Sequence, residues 1–318
     1  GCPPATEKQF IELRSEGLRV LRPPVYNGSA LLFNFNTLGD VFGDKRVRQA
    51  LAYAINRDQN GTIALGELSG IGIKNMSGMS DVMLPDWLSA DDIGRLNKYE
   101  YNPDKAAALL QEVGWTKDGD TWKTPDGKEA AWELRFAAEF ADQSASGLDI
   151  VEQLGNFGIK LEPRAITYTQ HPVEINQGKF QLAMDSWGSS TNPHPHFAFV
   201  QDLFVRNTLA IRDGGKGTGY PLKQTTDVLG EVDLEQLVID SALGLDEEAQ
   251  KANVTQIVLA FNELLPIIPM YERFGNNAAW EGVRVKAWPA DDDPILKNAP
   301  YADGIPTMLL YTGRLEPV

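Results

Sequence analysis

The sequence has no block of lysine and arginine residues and no long apolar run. Its formal net charge is −15 and its sequence pI is near 4.7, so no basic patch is available to neutralise a row of phosphates. We therefore predict that nucleic acid is not a partner and that the acidity keeps a solvated surface soluble. Because no run of about 18 apolar residues occurs, the sequence predicts no membrane-spanning helix.

Cysteine is almost absent, since Cys2 is the only one in the 318 residues. A single thiol cannot form an internal disulfide. Gly1 and Cys2 resemble the end of a lipoprotein processing site, where the cysteine carries lipid, but the usual polar tether is missing. The amino terminus also lacks the charged and then apolar build of a signal peptide. Export would therefore require a leader that this chain does not contain.

The remaining composition, with 42% hydrophobic and 23% charged residues, is that of an ordinary globular protein. Strand patterns alternate with helix patterns along the chain, as at residues 31–36 (LLFNFN) and 180–187 (FQLAMDSW). Asp44 and Asn102 are predicted to cap amphipathic helices. The first of these helices has its apolar face at Val47, Ala50, Leu51, Ala54 and Ile55. The alternation predicts an α/β or α+β fold with a mixed sheet.

A series of segments in one order resembles a known family. These segments are NFN, FGDKRVRQALAYAINRD, MLPDWL, YNPDKAAALLQEVGW, DGDTWKTPDGK, DIVEQLGNFGIKLEPRAI, FQLAMDSWG and LPIIPMYERF. Together they are similar to the family 5 extracellular solute-binding proteins, the dipeptide- and oligopeptide-binding group. The resemblance covers nearly the whole chain, and its specificity lies in the number and order of the segments.

The resemblance implies a periplasmic-binding-protein-like fold of type II, in which two lobes close on a small solute. Residues 1–30 are expected to end the first lobe and form the hinge crossover, residues 31–284 to form the second lobe, and residues 285–318 to return to the first. The start of the first lobe and a small extra domain are expected to be missing from this chain. The implied function is that of the substrate-binding component of an ABC importer, periplasmic or extracellular and monomeric, with permease subunits as partners.

The segment after Trp187 departs from the pattern of peptide-binding members. The resemblance implies an aspartate shortly after a Trp-Gly pair that binds the peptide amino terminus, but Ser189 and Ser190 occupy this place. Two neutral hydroxyls do not offset the burial of an ammonium group as a carboxylate would. The alternative is a neutral solute such as an oligosaccharide, with Trp187 as a ring platform and Ser189, Ser190 and Asn192 as hydrogen-bonding groups. If the solute is a peptide, Asp185 is the candidate that replaces this aspartate in binding the amino terminus.

Other candidate ligand-binding residues lie on predicted strands or in the HPH segment. Asn34 and Asn36 alternate with apolar residues on the first strand, and the resemblance places Tyr271 and Arg273 on a strand facing the solute. His194 is a candidate for hydrogen bonding to the solute. No metal or cofactor is predicted, because Pro193 and Pro195 restrict the backbone and no cysteine or acidic ligand is near in sequence.

Little in the sequence supports the alternative that the protein is an enzyme. A hydrolase would need His194 or His196 to activate Ser189 or Ser190, and the GxSxG pattern is absent. The glycine-rich segment GGKGTG lacks the spacing and the Ser or Thr of a phosphate-binding loop. We therefore predict a binding protein and not an enzyme.

Overall fold

The computed structural model describes Gln9, Glu12 and residues 17–190, 192–298 and 304–318, so Cys2 lies outside the described residues. The strands are β1 Leu18–Leu21, β2 Asn27–Phe33, β3 Gly70–Gly72, β4 Thr116–Asp118, β5 Thr121–Lys123, β6 Ala131–Ala137, β7 Lys160–Ile166, β8 Leu182–Gly188, β9 Lys223–Thr226, β10 Gly230–Asp233, β11 Ile268–Pro269, β12 Tyr271–Arg273, β13 Asn277–Trp280, β14 Val285–Lys286 and β15 Glu316–Pro317.

The helices surround these strands. They are α1 Phe35–Phe42, α2 Lys45–Ala54, α3 Arg57–Leu65, α4 Leu84–Trp87, α5 Ala90–Arg95, α6 Pro103–Glu112, α7 Ala141–Phe157, α8 His171–Asn176, α9 Pro195–Phe199, α10 Leu209–Arg212, α11 Leu234–Asp240, α12 Glu247–Leu264 and α13 Gly304–Tyr311. A π-helix, Val200–Thr208, joins α9 to α10, and a 3-10 helix covers Pro294–Asn298.

The central sheet has five strands in the order β11, β2, β8, β6, β7. Strands β6, β7 and β8 are parallel, whereas β2 is antiparallel to both β8 and β11. The predicted mixed sheet is thereby confirmed, and so is the interior position of β8, which is paired on both sides. Its apolar residues Leu182, Ala183 and Met184 are buried because helices cover both faces of this part of the sheet.

The two predicted helix caps are confirmed. The Asp44 side chain accepts a hydrogen bond from the Arg46 amide at 2.9 Å and starts α2. The Asn102 side chain does the same for the Lys105 amide at 3.0 Å, with Pro103 as the first helical residue of α6. All five residues of the predicted apolar face of α2 are buried. Local sequence therefore fixes where these helices begin, whereas the fold also buries Arg48, Ala52 and Tyr53 outside the predicted face of α2.

The strand predicted at residues 31–36 is wrong in its extent. Strand β2 ends at Phe33, and Asn34 instead caps α1 by accepting from the Asn36 amide at 3.1 Å. The Asn34 Nδ2 donates to the carbonyl oxygens of Gly178 and Phe180 at 2.9 and 2.6 Å. Asparagine side chains compete with a strand ladder by bonding nearby backbone groups, and here that local bonding ends the strand.

A small apolar cluster lies apart from the main core. Strand β1 pairs with β13 near the two ends of the described chain. The cluster beside this pair contains Leu21, Ala279, Ile295, Leu296, Ile305 and Leu309. Segments from both ends of the chain therefore share a core of their own, while the lobe boundaries at residues 30 and 284 stay a prediction.

Candidate functional site

The parallel strands bring their carboxyl ends to one side of the sheet, which we call the carboxyl edge. Strands β6, β7 and β8 end there at Ala137, Ile166 and Gly188. Strand β2 runs the other way and begins there, with Asn27 opposite Gly188. In α/β sheets, ligands bind in the crevice outside the carboxyl ends of the strands. The topology therefore makes the carboxyl edge the first candidate for a solute site.

Four polar side chains form a continuous series of contacts beside this edge. The hydroxyl oxygens of Ser29 and Tyr271 lie 2.9 Å apart, and the Tyr271 hydroxyl donates to Asp142 Oδ2 at 3.3 Å. The Arg273 guanidinium forms an ion pair with the same carboxylate oxygen. Ser29 and Tyr271 are buried, whereas 35% of the Arg273 side chain is exposed. The series therefore leads from the core to a cation that a solute can reach.

Strand β12 positions two of these groups because residues 271 and 273 project to the same side of an extended chain. Burial, followed by the negative charge of Asp142, raises the pKa of the Tyr271 hydroxyl, which therefore stays protonated. The intervening Glu272 is buried and accepts hydrogen bonds from the Ser80 hydroxyl and, at 3.2 Å, from the Asp81 amide. Burial raises the pKa of Glu272 to about 8.

The first turn of α7 carries Asp142 to the site, and an aromatic pair lies next to it. Phe140 precedes the helix, and its ring contacts that of Tyr168, with centroids 4.6 Å apart. Both rings are exposed, and the Tyr168 amide is held by Glu139 Oε2 at 2.7 Å. These two segments follow β6 and β7, so they form an accessible aromatic surface on the carboxyl edge.

Trp187 lies in the core and is not an exposed platform. Its side chain has no accessible surface, and its Nε1 donates to the Tyr271 carbonyl oxygen at 2.9 Å. A Cβ on Gly28 would lie 2.9 Å from that nitrogen and 1.8 Å from the same carbonyl oxygen, so only glycine fits beside the ring. The expectation of an accessible ring is wrong for this structure, because the backbone of β12 lies against the indole.

The residues that follow Trp187 lie at the carboxyl edge, directly after Gly188. Ser190 is buried, Ser189 is half-buried and Asn192 is exposed. Each of the three makes an interaction within the protein. Contact between a solute and these side chains stays a prediction.

The two histidines of the HPH segment are held by protein groups. His194 Nδ1 accepts from the His196 amide at 3.1 Å, and the His194 ring lies edge-on to Trp87 with centroids 4.5 Å apart. Burial lowers the pKa of His194. His196 Nδ1 lies 3.0 Å from the Ser241 hydroxyl. Solute binding by His194 stays a prediction. No group of three or more His, Cys, Asp or Glu that could hold a metal occurs among the described residues.

Asn34 and Asn36 are not brought together with Tyr271 and Arg273. Strand β2 begins at the carboxyl edge and ends at the opposite one, so its seven residues separate the two sets by roughly 20 Å. Asn34 is fully buried, and the Asn36 Nδ2 donates to the Gly217 carbonyl oxygen at 3.1 Å. The expected alternation along a strand is therefore absent, and both amides bond to the protein itself.

The structure also shows an acid at the edge that sequence reasoning missed. Asp202, in the π-helix, accepts a hydrogen bond from the Gly188 amide at 2.9 Å through Oδ1. Asp185, the acid suggested by the sequence, is instead paired with Arg206, with Oδ2 2.5 Å from the guanidinium Nε. No sequence signal points to Asp202, because it belongs to no motif and reaches Gly188 only through the fold.

Open clefts also occur away from this edge. One of about 810 Å³ borders the hairpin of β9 and β10, one of about 460 Å³ lies beside Arg135 and Phe180, and one of about 400 Å³ lies beside Trp87 and Lys251. None of these three is lined by the polar residues of the carboxyl edge. Within the described part of the chain, no helix has both the length and the apolarity to span a bilayer.

Solved structures share this fold. Over 99% of this chain and 55% of the other, it superposes with a TM-score of 0.67 and 20% identity on the oligopeptide-binding protein AppA from Bacillus subtilis, solved with a nonapeptide. Over 98% of this chain and 56% of the other, it superposes with a TM-score of 0.69 and 18% identity on a Thermotoga maritima periplasmic oligopeptide-binding protein bound to mannohexaose. The fold is thus that of periplasmic solute-binding proteins.

Sequence comparison gives the family. Residues 3–204 match the model of the bacterial extracellular solute-binding proteins, family 5, middle region, and the chain belongs to this family. AppA from Bacillus subtilis is 27% identical over 177 residues, which cover 54% of this chain and 31% of AppA. The Escherichia coli dipeptide-binding protein is 27% identical over 168 residues, which cover 52% and 28% of the two chains. The aligned regions therefore span about a third of these relatives.

Proposed function

We propose that the protein is the substrate-binding component of an ABC importer and binds an oligopeptide or a related small solute at the carboxyl edge. The observation that carries this proposal is the contact series from Ser29 through Tyr271 and Asp142 to Arg273. In this series the partly exposed guanidinium of Arg273 pairs with Asp142, which in turn is bonded to the buried Tyr271 hydroxyl. The aromatic surface of Phe140 and Tyr168 lies next to it. An apolar surface with a few fixed polar groups is the usual make-up of a small-molecule site.

The proposed partners follow from the family, whose members are periplasmic or extracellular. Permease subunits would receive the solute, the receptor would act as a monomer, and no turnover of the solute is expected. Lipid attachment at Cys2 belongs to the same proposal. The predicted contacts by Ser189, Ser190 and Asn192 also remain within it, since all three follow Gly188 at this edge.

A second candidate function is the binding of an oligosaccharide. It is favoured by the neutral Ser189 and Ser190 at the place where peptide-binding members have an acid, and by exposed rings at the edge. Trp187 does not carry this candidate, because its ring is buried. Phe140 and Tyr168 replace it as the rings that a sugar face could contact.

The test is calorimetric titration of the protein with a tripeptide and with a mannose oligosaccharide, using Arg273→Gln and the control Arg212→Gln. Arg212 is exposed and pairs only with its neighbour Asp213, so both variants lose one positive charge. We expect Arg273→Gln to bind the solute that wild type binds about tenfold or more weakly, because one charge-assisted hydrogen bond is lost. Arg212→Gln should bind that solute like wild type. Equal binding by both variants, or no binding of either solute, would contradict the proposal.

A further inference from the structure

The loop that joins α11 to α12, residues 241–246, carries two leucines in solvent, and we call it the leucine loop. Leu243 is 66% exposed, and Leu245 is fully exposed, more than any other large apolar residue that the structure describes. Ile239, in the last turn of α11, is 49% exposed and precedes the loop. Apolar side chains that are grouped in solvent mark surfaces that another molecule covers.

Polar contacts hold the leucine loop in one shape. Ser241 is buried, and its hydroxyl lies 3.0 Å from His196 Nδ1. The Gln250 side chain donates to the Gly244 carbonyl oxygen at 3.1 Å, and the Asn253 side chain donates to the last carbonyl oxygen of α11 at 3.3 Å. Because the loop is already ordered, a partner covers its leucines with little loss of conformational entropy.

Negative charge surrounds the two leucines. Residues 233–251 contain six acidic side chains and one basic side chain, Lys251. Lys251 Nζ lies 2.9 Å from the Glu247 carboxylate and 3.5 Å from that of Glu248, and the two glutamate side chains are 70% and 86% exposed. An apolar centre within an acidic rim is complementary to an apolar pocket that lysine or arginine residues border.

The leucine loop lies on the side of the sheet to which the carboxyl edge faces. Asp202 contacts Gly188 at this edge, and Arg206, one turn later, contacts Asp185 further inside the sheet. The helical segment therefore runs inward from α9, and α9 itself lies beyond the edge. His196, in α9, contacts the leucine loop, which therefore also lies beyond the edge.

We propose that the leucine loop docks the receptor on a permease subunit, with Leu243 and Leu245 in an apolar pocket that lysine or arginine residues border. This inference rests on the proposed function and names the docking surface and the chemistry of its partner. A second copy of this chain would set two acidic rims against each other, and an anionic lipid surface would repel the same rim. Docking through this loop also turns the carboxyl edge, and a solute bound there, towards the subunit that takes the solute up.

The experiment adds increasing concentrations of purified full-length receptor to membrane vesicles from cells that lack the receptor and keep the importer. The readout is the receptor concentration that gives half-maximal uptake of labelled trialanine, or of labelled mannohexaose if the receptor binds that solute instead. Calorimetric titration with the same solute measures solute affinity separately. Docking and solute binding are therefore observed independently.

The double variant Leu243→Ser/Leu245→Ser should raise the half-maximal receptor concentration at least about tenfold, because two leucine side chains no longer leave water on docking. Its solute affinity should equal that of wild type. Leu148→Ser/Val228→Ser is the matched control, since these residues are 51% and 50% exposed on α7 and in the turn between β9 and β10. The control should behave like wild type in both measurements.

The acidic rim is tested by salt. For wild type, the half-maximal receptor concentration should rise with ionic strength, because salt screens exposed charges. Glu247→Gln/Glu248→Gln should raise it at low salt and should flatten this dependence. Glu100→Gln/Glu112→Gln removes two exposed acids elsewhere and should keep the wild-type dependence.

An unchanged half-maximal concentration for Leu243→Ser/Leu245→Ser would overturn the docking site and leave the proposed function in place. A urea midpoint well below that of wild type would show that another part of the full-length chain covers the leucines, and would also overturn it. So would a wild-type dimer that this variant abolishes, because the partner would then be a second copy. A wild-type receptor that binds neither solute, or that binds one without supporting uptake, would overturn the proposed function itself.

Discussion

Glu272 makes the stability of the fold depend on pH in a direction opposite to that of most acidic residues. Glu272 is 2% exposed, and its carboxyl group accepts hydrogen bonds from the Ser80 hydroxyl and the Asp81 amide. Burial, with a further contribution from the charge of Asp81, raises the pKa of Glu272 from 4.5 to about 8. At neutral pH the folded protein therefore keeps a proton that the unfolded chain has released.

The free energy of unfolding should consequently fall as the pH rises from about 4.5 to about 8, because the folded state binds more protons throughout this range. At about 1.4 kcal/mol for each pH unit between the two values, the Glu272 contribution is on the order of 5 kcal/mol. Below pH 4.5 the contribution is complete, and above pH 8 no further loss is expected from this residue.

The perturbation is Glu272→Gln, which keeps the side-chain length and removes the titration. Urea denaturation between pH 5 and pH 8 measures the free energy of unfolding, with Glu235→Gln as a control, because Glu235 is exposed on α11. The difference in the free energy of unfolding between Glu272→Gln and wild type should shift in favour of Glu272→Gln by about 2–4 kcal/mol as the pH rises from 5 to 8. Parallel pH profiles for the Glu272→Gln and wild-type proteins would refute the reasoning, as would an equal change in Glu235→Gln.

Two further predictions concern buried side chains of the main core. Trp187→Ala should destabilise the fold by about 3–5 kcal/mol in urea denaturation, since the ring has no exposed surface; a loss below about 1 kcal/mol would show that the ring is not packed as described. Arg48→Met should lower the unfolding free energy by about 3 kcal/mol or more, because the Arg48 guanidinium donates to the carbonyl oxygens of Gly43, Leu264 and Leu265 at 2.9–3.1 Å. The exposed Arg46→Met is its control and should change that energy by less than about 0.5 kcal/mol; a comparable loss in both variants would contradict the role of Arg48.

The parts of the fold that sequence predicts are those decided by neighbouring residues. Asp44 and Asn102 cap their helices because a carboxylate or amide next to free backbone amides needs nothing from the rest of the chain. The interior place of β8 was predictable for a similar reason, since an apolar strand of this length requires cover on both faces. Family resemblance added the order of the elements.

The parts that sequence does not predict are those decided by distant contacts. The burial of Trp187 depends on β12, whose backbone lies against the indole ring and is far away in sequence. Asn34 could extend a strand or cap a helix, and the carbonyl groups of Gly178 and Phe180, far away in sequence, favour the cap. Asp202 becomes part of the edge only because the π-helix places it beside Gly188.

The pairing of β1 with β13 has a consequence for the order in which the chain folds. Leu18 pairs with Trp280 and Leu21 with Asn277, so this contact closes one of the long loops of the described chain. Entropy opposes such a closure in an open chain, but the cost becomes small once the intervening residues have collapsed and hold both strands near each other. The small cluster at the chain ends should therefore form late in folding and open early in unfolding, before the sheet that carries the site has come apart.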